Sequence, residues 1–356
     1  MMSAPEPTIA AVVTPLFAVS DPQGRSGAEL VKASQQFQPE NRWTSWCLLI
    51  ETLVVLGTGL WLVFHFQFWP LQVIAGLLVG LVQVRLFIFY HDTLHGAIFV
   101  KDPLAQGLMS LVGIYLLTIR SVWKETHDHH HQNNARQLGS MIGTFPIITV
   151  AMAGRLSPAA RRRYRMARHG LTMLAGYLTV MLGGMIGSAF IRQPRRHWGA
   201  LVTVLLHVLV FMVLAWHWGW VTALCAQVVP SALSMALGSY LFYAQHNFPA
   251  LKLPRRDDWT YAGAALESSS MFDMSPMMHW FTGSIGYHHV HHLNHRIPFY
   301  RLREAMEAMP ELQNPGRTSW RLRDMRACLN LYLWDPRQNR MLTYAEVLKP
   351  APARAA

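Results

Sequence analysis

The sequence predicts an all-α integral membrane protein with four transmembrane helices in two hairpins. A cytoplasmic cap of interfacial helices, rich in histidine, completes the expected fold. Three observations lead there. Hydrophobic residues make up 52% of the 356 positions and charged residues only 14%, about half the charged share of ordinary soluble chains. The mean hydropathy is +0.18, and the charge-free runs are too long for a single membrane crossing each. The 18 histidines, finally, are unusually many, and half of them fall in spaced clusters or at the end of a span.

Residues 1–40 are mostly polar and read as a mobile N-terminal arm. The apolar patch from Ala10 to Val19 is interrupted by Pro15 and has no basic segment before it, which argues against a cleaved signal peptide. A membrane domain is expected over 41–345, followed by a Pro/Ala-rich disordered tail, 346–356. From Leu53 to Phe89 the only ionisable side chains are His65 and Arg85. At about 20 residues per crossing this run is a hairpin, with spans near 46–66 and 70–90. Its turn is marked by Phe66, Gln67, Phe68, Trp69 and the helix-starting Pro70. From Gly199 to Gln245 there is no Asp, Glu, Lys or Arg, and Trp216, His217, Trp218, Gly219 and Trp220 mark a second turn. Spans near 199–217 and 220–243 follow. Glu51 and Arg85 inside spans are costly and ordinarily functional or paired, but both lie near span ends, where snorkelling explains them equally well.

The cap is expected over 97–198 and 246–345. Leu104 to Ile119 and Met141 to Gly154 are short for crossing and suit helices lying in the interface. Leu171 to Ile191 is long enough to cross. Pairing it with Met141 to Gly154, however, would put the basic segment Arg161 to Arg168 on the far side, against the positive-inside rule. It is therefore placed on, or dipping into, the near side. Leu302 to Met309 reads as amphipathic. Both far-side turns lack Lys and Arg, so every basic cluster is cytoplasmic in this topology. The formal charge, 31 − 19 = +12, thus reflects membrane flanks. No nucleic-acid-binding motif accompanies it, and nucleic acid is excluded as a partner. Three separated cysteines without a CxxC exclude a disulfide framework and a thiolate metal site.

The histidines follow a rule. His91 and His95 close the second span at i, i+4; His127, His130 and His131 repeat i, i+3, i+4; His288, His291 and His292 repeat it again; His246 ends the fourth span. Each spacing places its rings on one helix face. An even number of crossings separates every pair of these segments, so all nine rings reach one membrane face. Nine nitrogens exceed the four of tetrahedral zinc or the six of octahedral iron, and two metals are the natural count. Imidazole suits Fe, Zn, Cu or Ni. Asp92 and Asp128, each following a candidate ligand, are placed to accept a ring N–H from a neighbouring histidine. A lone histidine in an apolar span, such as His65 or His207, is ordinarily a hydrogen-bonded interior residue, and both are set aside. His129, His289 and His295 fall off the spacing and read as outer or surface groups. A single HxxHH would suit a surface cluster equally well, whereas two of them plus an HxxxH at one face favour a metal site.

At these boxes the chain resembles the membrane fatty acid desaturases. The strings are HDTLHG (His91 to Gly96), HDHHH (His127 to His131) and HHVHH (His288 to His292), followed by LNHRIPFYRL (Leu293 to Leu302) as in bacterial acyl-lipid desaturases. The resemblance covers roughly residues 45–310. It implies a di-iron enzyme that uses O2 and two external electrons to place a cis double bond in a fatty acyl lipid. By the same resemblance the iron ligands are His91, His95, His127, His130, His131, His288, His291 and His292, with His246 matching an extra histidine before the third box. Asp128 stands where the family often has Asn, and His129 also departs from it. No haem-binding HPGG segment occurs, so electrons are expected from a separate ferredoxin or cytochrome-like carrier docking on the basic cytoplasmic face. A di-iron lipid or carotenoid hydroxylase or ketolase is the alternative. A metal transporter or non-enzymatic metal-binding membrane protein would put its histidines inside the spans instead. No sequence feature sets an oligomeric state. If the chain is bacterial, the expected location is the plasma or inner membrane.

Overall fold

The computed structural model describes residues 25, 27–136 and 138–348. Residues 1–24 of the expected arm and 349–356 of the expected tail lie outside the described residues. The helices run in order: α1 (Gly27–Ser34), α2 (Arg42–His65), α3 (Trp69–His95), α4 (Pro103–Tyr115), α5 (Arg120–Asn133), α6 (Val150–Arg155), α7 (Pro158–Ala167), α8 (Gly170–Leu174) and α9 (Ser188–Arg192). They continue with α10 (Trp198–Ala223), α11 (Val229–His246), α12 (Tyr261–Glu267), α13 (Pro276–Phe281), α14 (His288–Leu293), α15 (Leu302–Ala308), α16 (Leu322–Asn330) and α17 (Tyr344–Leu348).

The chain is mostly helical, but not all-α as the sequence predicts. Strands β1 (Met271–Asp273) and β2 (Arg317–Ser319) pair in parallel, while β3 (Leu331–Asp335) and β4 (Arg340–Thr343) pair antiparallel. The β3 string LYLWD buries four successive residues, Leu331 to Trp334. A strand buried on both faces shows no alternation to read. Residues 27–40, placed in the arm by sequence, form α1 and a 3-10 turn with Leu30 and Phe37 buried. Residues 346–348, placed in the tail, belong to α17.

The first apolar run is the hairpin α2–α3. Asn41 starts α2 by accepting from the Thr44 N–H at 3.1 Å, and Gly96, at φ +70°, ends α3 directly after His95. The second run is helical from Trp198 to His246 apart from Gly219, whose φ of 83° and ψ of 160° break it. Straight, such a rod would be about 74 Å long, but it doubles back. The Gln227 side chain donates to the His207 carbonyl at 2.7 Å, and the rings of Phe211 and Trp220 lie 5.6 Å apart. The two reversals share one end of the bundle. There, Gln72 Nε2 donates to the Phe66 carbonyl at 2.9 Å and to Thr222 Oγ1 at 3.0 Å, and Phe64 packs on Trp218 at 5.0 Å.

Helix α3 is central and packs against α2 and α11. Its GLLVG string brings backbones together, as small residues four apart do between membrane helices. A Cβ on Gly76 would sit 2.4 Å from the Cys225 carbonyl oxygen, and one on Gly80 2.9 Å from that of Pro230. Arg85 does not snorkel. It is buried, donates to Thr52 Oγ1 at 2.9 Å, and lies 4.3 Å from the centre of a Trp280 ring system whose own N–H is taken by Glu51.

Around the bundle, α4 turns by 93° into α5, so the run Leu104 to Ile119 is helical only to Tyr115. The run Met141 to Gly154 becomes helix only at Val150. Gly143 at φ +61°, Pro146 and the Ile147–Ile148–Thr149 string keep the earlier part open. Leu171 to Ile191 is broken into α8, a π-helical segment Tyr177–Gly187, and α9. His207, set aside by sequence, meets the Tyr177 hydroxyl at 2.8 Å.

Gly76→Ala should lower the thermal midpoint of the protein in detergent, at a cost on the order of 1–3 kcal/mol for overpacking. Gly57→Ala, whose Cβ would meet nothing within 4 Å, is the control. Equal midpoints for the two variants would contradict the tight α3–α11 contact.

Candidate metal centre

Four helix ends deliver the histidines. Helix α3 carries His91 and His95 in its last turns. Helix α5 presents His127, His130 and His131, and α11 stops at His246. The six-residue α14 holds His288, His291 and His292. All nine rings are buried. The i, i+3, i+4 spacing puts the rings of α5 and α14 on facing sides, and His289, off that spacing, turns outward to the Leu312 carbonyl at 3.0 Å.

The nine rings form two groups in which the candidate ligand atoms all lie within 4.8 Å of one another. One group is His91, His95, His127, His131 and His291; the other is His130, His246, His288 and His292. In the second group the Nε2 atoms make a closed circuit: His130 to His246 at 3.0 Å, His246 to His288 at 2.9 Å, His288 to His292 at 3.1 Å, and His292 to His130 at 3.3 Å. In the first group, His91, His127, His131 and His291 form a chain of Nε2 contacts at 3.1, 3.0 and 3.1 Å. His95 caps that chain, its ring 4.5, 5.0, 4.8 and 5.2 Å from the other four centroids. His95 Nε2 is buried without a hydrogen-bond partner.

These distances test whether the rings fit an ion. Nitrogens bound at about 2.1 Å lie about 3.0 Å apart at a right angle and about 3.4 Å apart at the tetrahedral angle. Most of the observed edges match the right angle. Five nitrogens in one group and four in the other would leave positions free on a six-coordinate ion.

Electrostatics agree. Burial and neighbouring rings push the imidazoles of His127, His130, His131, His288, His291 and His292 well below their ordinary pKa. The rings are therefore neutral, the form that ligates metal. Neutral Nε2 lone pairs facing each other at 3 Å repel, and a shared cation relieves this.

Outer contacts fix some of the rings. Asp92 Oδ1 accepts the His91 Nδ1–H at 2.8 Å, and its other oxygen accepts the Phe299 N–H at 2.8 Å. His246 Nδ1 faces the Ser268 carbonyl at 3.2 Å. Each contact leaves Nε2 free to ligate. Asp128 does not take the role expected of it. Its carboxylate pairs with Lys124 at 2.6 Å, one helical turn back and half exposed, because its position on α5 faces away from the rings.

Two residues of the site escape the spacing rule. Trp123 stacks on His127 at 4.2 Å and meets His91 edge-on at 5.3 Å; its i, i+4 offset from His127 was the available signal. His295, read as an outer group, lies 4.7 Å from the His95 ring and 5.2 Å from that of His131. Only tertiary packing reveals that contact.

The fatty acid desaturase family model matches residues 67–323, which contain all nine histidines. A fatty acid desaturase of Bacillus subtilis (strain 168) is 27% identical over 87% of this chain and 88% of its own length. An sn-1 acyl-lipid omega-3 desaturase (ferredoxin) of Nostoc sp. (strain 36) is 25% identical over 77% of this chain and 76% of its own. A chloroplastic omega-3 fatty acid desaturase of Brassica napus is 27% identical over 76% and 68%. With its histidine strings matched and folded into two convergent groups, the chain belongs to the fatty acid desaturase family.

Proposed function

We propose that this chain is an O2-dependent membrane fatty acyl desaturase. As an oxidoreductase it converts –CH2–CH2– in an acyl lipid to cis –CH=CH–, consuming O2, two electrons and two protons and releasing two waters. The observation that carries this reading is the pair of abutting, buried, all-nitrogen ring groups at one end of an apolar bundle. His91, His95, His127, His131 and His291 would hold one iron, and His130, His246, His288 and His292 the other. The right-angled edges favour six-coordinate ions with open positions over tetrahedral zinc, and the family resemblance selects iron. When bound, the pair supplies O2 reduction and the oxidising power for C–H cleavage.

The protein's share is geometric. Asp92 holds the His91 ring by its Nδ1–H, and Trp123 covers the outer face of His127. A recess between α5, the 138–147 loop and α11 reaches His130 and His246, with Leu138, Ile142, Phe145 and Ile147 on its apolar side. An acyl segment seated there displaces water from the rings and sets which carbons face them.

The reading also assigns topology. Four crossings, α2, α3 and the two arms of the 198–246 hairpin, would put both reversals outside and the ring groups inside. The lack of Lys and Arg in both turns and their joining through Gln72 support this. The name of the Nostoc relative supports an acyl lipid as substrate and a ferredoxin as reductant.

Two outcomes are expected. A cysteine placed at 217 should react with an impermeant maleimide only from outside intact cells, and one placed at 162 only after permeabilisation; the reverse pattern would overturn the topology. Expression in a host with simple fatty acids should yield new alkenes by gas chromatography. His130→Ala and His291→Ala should reduce them at least a hundredfold. Hydroxy acids in place of alkenes, or normal activity in either variant, would overturn the assignment.

A further inference from the structure

From His129 to Arg256 the chain contains no Asp or Glu. In the middle of that stretch α7, with the sequence PAARRRYRMA, exposes Arg161, Arg162, Arg163 and Arg165. None of the four pairs with a carboxylate among the described residues, whereas Arg196, Arg303 and Arg317 pair with Glu125, Glu307 and Asp273.

The inner side of α7 leads to the metal centre. Tyr164 is buried and donates its hydroxyl to the Tyr332 carbonyl at 2.5 Å. Arg168, one turn on, is fully buried without an acidic partner. It donates to the Tyr243 hydroxyl at 3.1 Å, Asn247 Oδ1 at 2.8 Å, and the Pro146 and Leu331 carbonyls at 2.8 and 3.1 Å. Its guanidinium lies between two rings, 5.6 Å from the centroid of Tyr164 and 5.2 Å from that of Tyr243. Tyr243 packs on Phe145 at 5.2 Å, and Phe145 on Phe242 at 6.2 Å. Phe242 then meets His130 at 4.9 Å and His246 at 5.4 Å. An unbroken ladder of π systems thus joins the basic face of α7 to the second ring group.

We infer that the exposed face of α7 is the docking surface for a small acidic one-electron carrier, and that electrons enter along the Tyr164–Arg168–Tyr243–Phe145–Phe242 ladder at His130 and His246. This rests on the proposed desaturase reading. Two carriers dock in turn, and each is oxidised by one electron as the metal pair is reduced by two in all. Unpaired surface arginines supply the long-range attraction that steers an acidic partner. An anionic lipid surface would account for the arginines but not for the ladder beneath them.

The test uses the holoenzyme in nanodiscs with a plant-type [2Fe–2S] ferredoxin as the carrier. The Arg162→Glu/Arg165→Glu variant should bind oxidised ferredoxin at least tenfold more weakly than wild type and show a shallower salt dependence; Arg162→Lys/Arg165→Lys should retain most of the affinity. The dithionite-reduced Glu variant should form alkene in a single turnover as wild type does. Phe145→Leu should leave ferredoxin affinity unchanged while slowing ferredoxin oxidation several-fold at saturation in stopped flow without acyl lipid. Ferredoxin affinity within twofold of wild type in the Glu variant would overturn the docking surface. So would a Glu variant that loses binding only to phosphatidylglycerol vesicles. An unchanged saturating rate in Phe145→Leu would overturn the ladder. Wild-type enzyme that makes no alkene even with dithionite would instead refute the desaturase reading itself.

Discussion

Nine imidazoles, buried away from water and brought nitrogen to nitrogen at about 3 Å, are the constraint on which the rest of the structure depends. Burial and neighbouring rings hold the six imidazoles on α5 and α14 well below their ordinary pKa, and the mutual approach of the nine sets lone pairs against each other. Either condition alone would be unfavourable. Together they describe a cradle for cations, and the edges of that cradle match right-angled coordination.

Everything around the rings serves their convergence. Gly96 ends α3 one residue after its second histidine, and the 93° bend after α4 turns α5 across that end. Gly76 and Gly80 let α11 approach α3 closely enough for His246 to meet rings from α5 and α14. The far end of the bundle contributes as well. Gln72 ties the two reversals together, so the two hairpins cannot slide relative to each other without moving His95 or His246 out of place. Asp92 couples a ring to the Phe299 backbone and thereby fixes the segment after α14 against α3. The recess beside Phe145 and the aromatic ladder from α7 both arrive at His130 and His246, whereas Trp123 packs on His127 and His91 of the five-ring group.

What could be read from the sequence was local. Charge-free runs, the Pro70 and Gly219 turns and the i, i+3, i+4 spacings depend on one helix at a time, and the structure gathers the nine spaced histidines into two groups. Features that depend on partners distant in sequence were not readable. Whether Arg85 snorkels or is paired stays open in the sequence because Trp280, which covers it, lies 195 positions away. Asp128 looked like a partner for a ring because it follows His127, yet the same helical geometry that points His127 inward points Asp128 toward Lys124. Asp92 was readable because its partner is its own neighbour. Strand β3 escaped because a short segment buried on both faces has no period, and His295 because its contact with His95 exists only once α14 docks on α3.

Anomalous scattering at the iron edge, collected from crystals of protein purified from iron-replete cells, tests the central claim most directly. Two peaks are expected, one enclosed by His91, His95, His127, His131 and His291, the other by His130, His246, His288 and His292. A single peak, a signal at the zinc edge alone, or metal outside these rings would contradict the account.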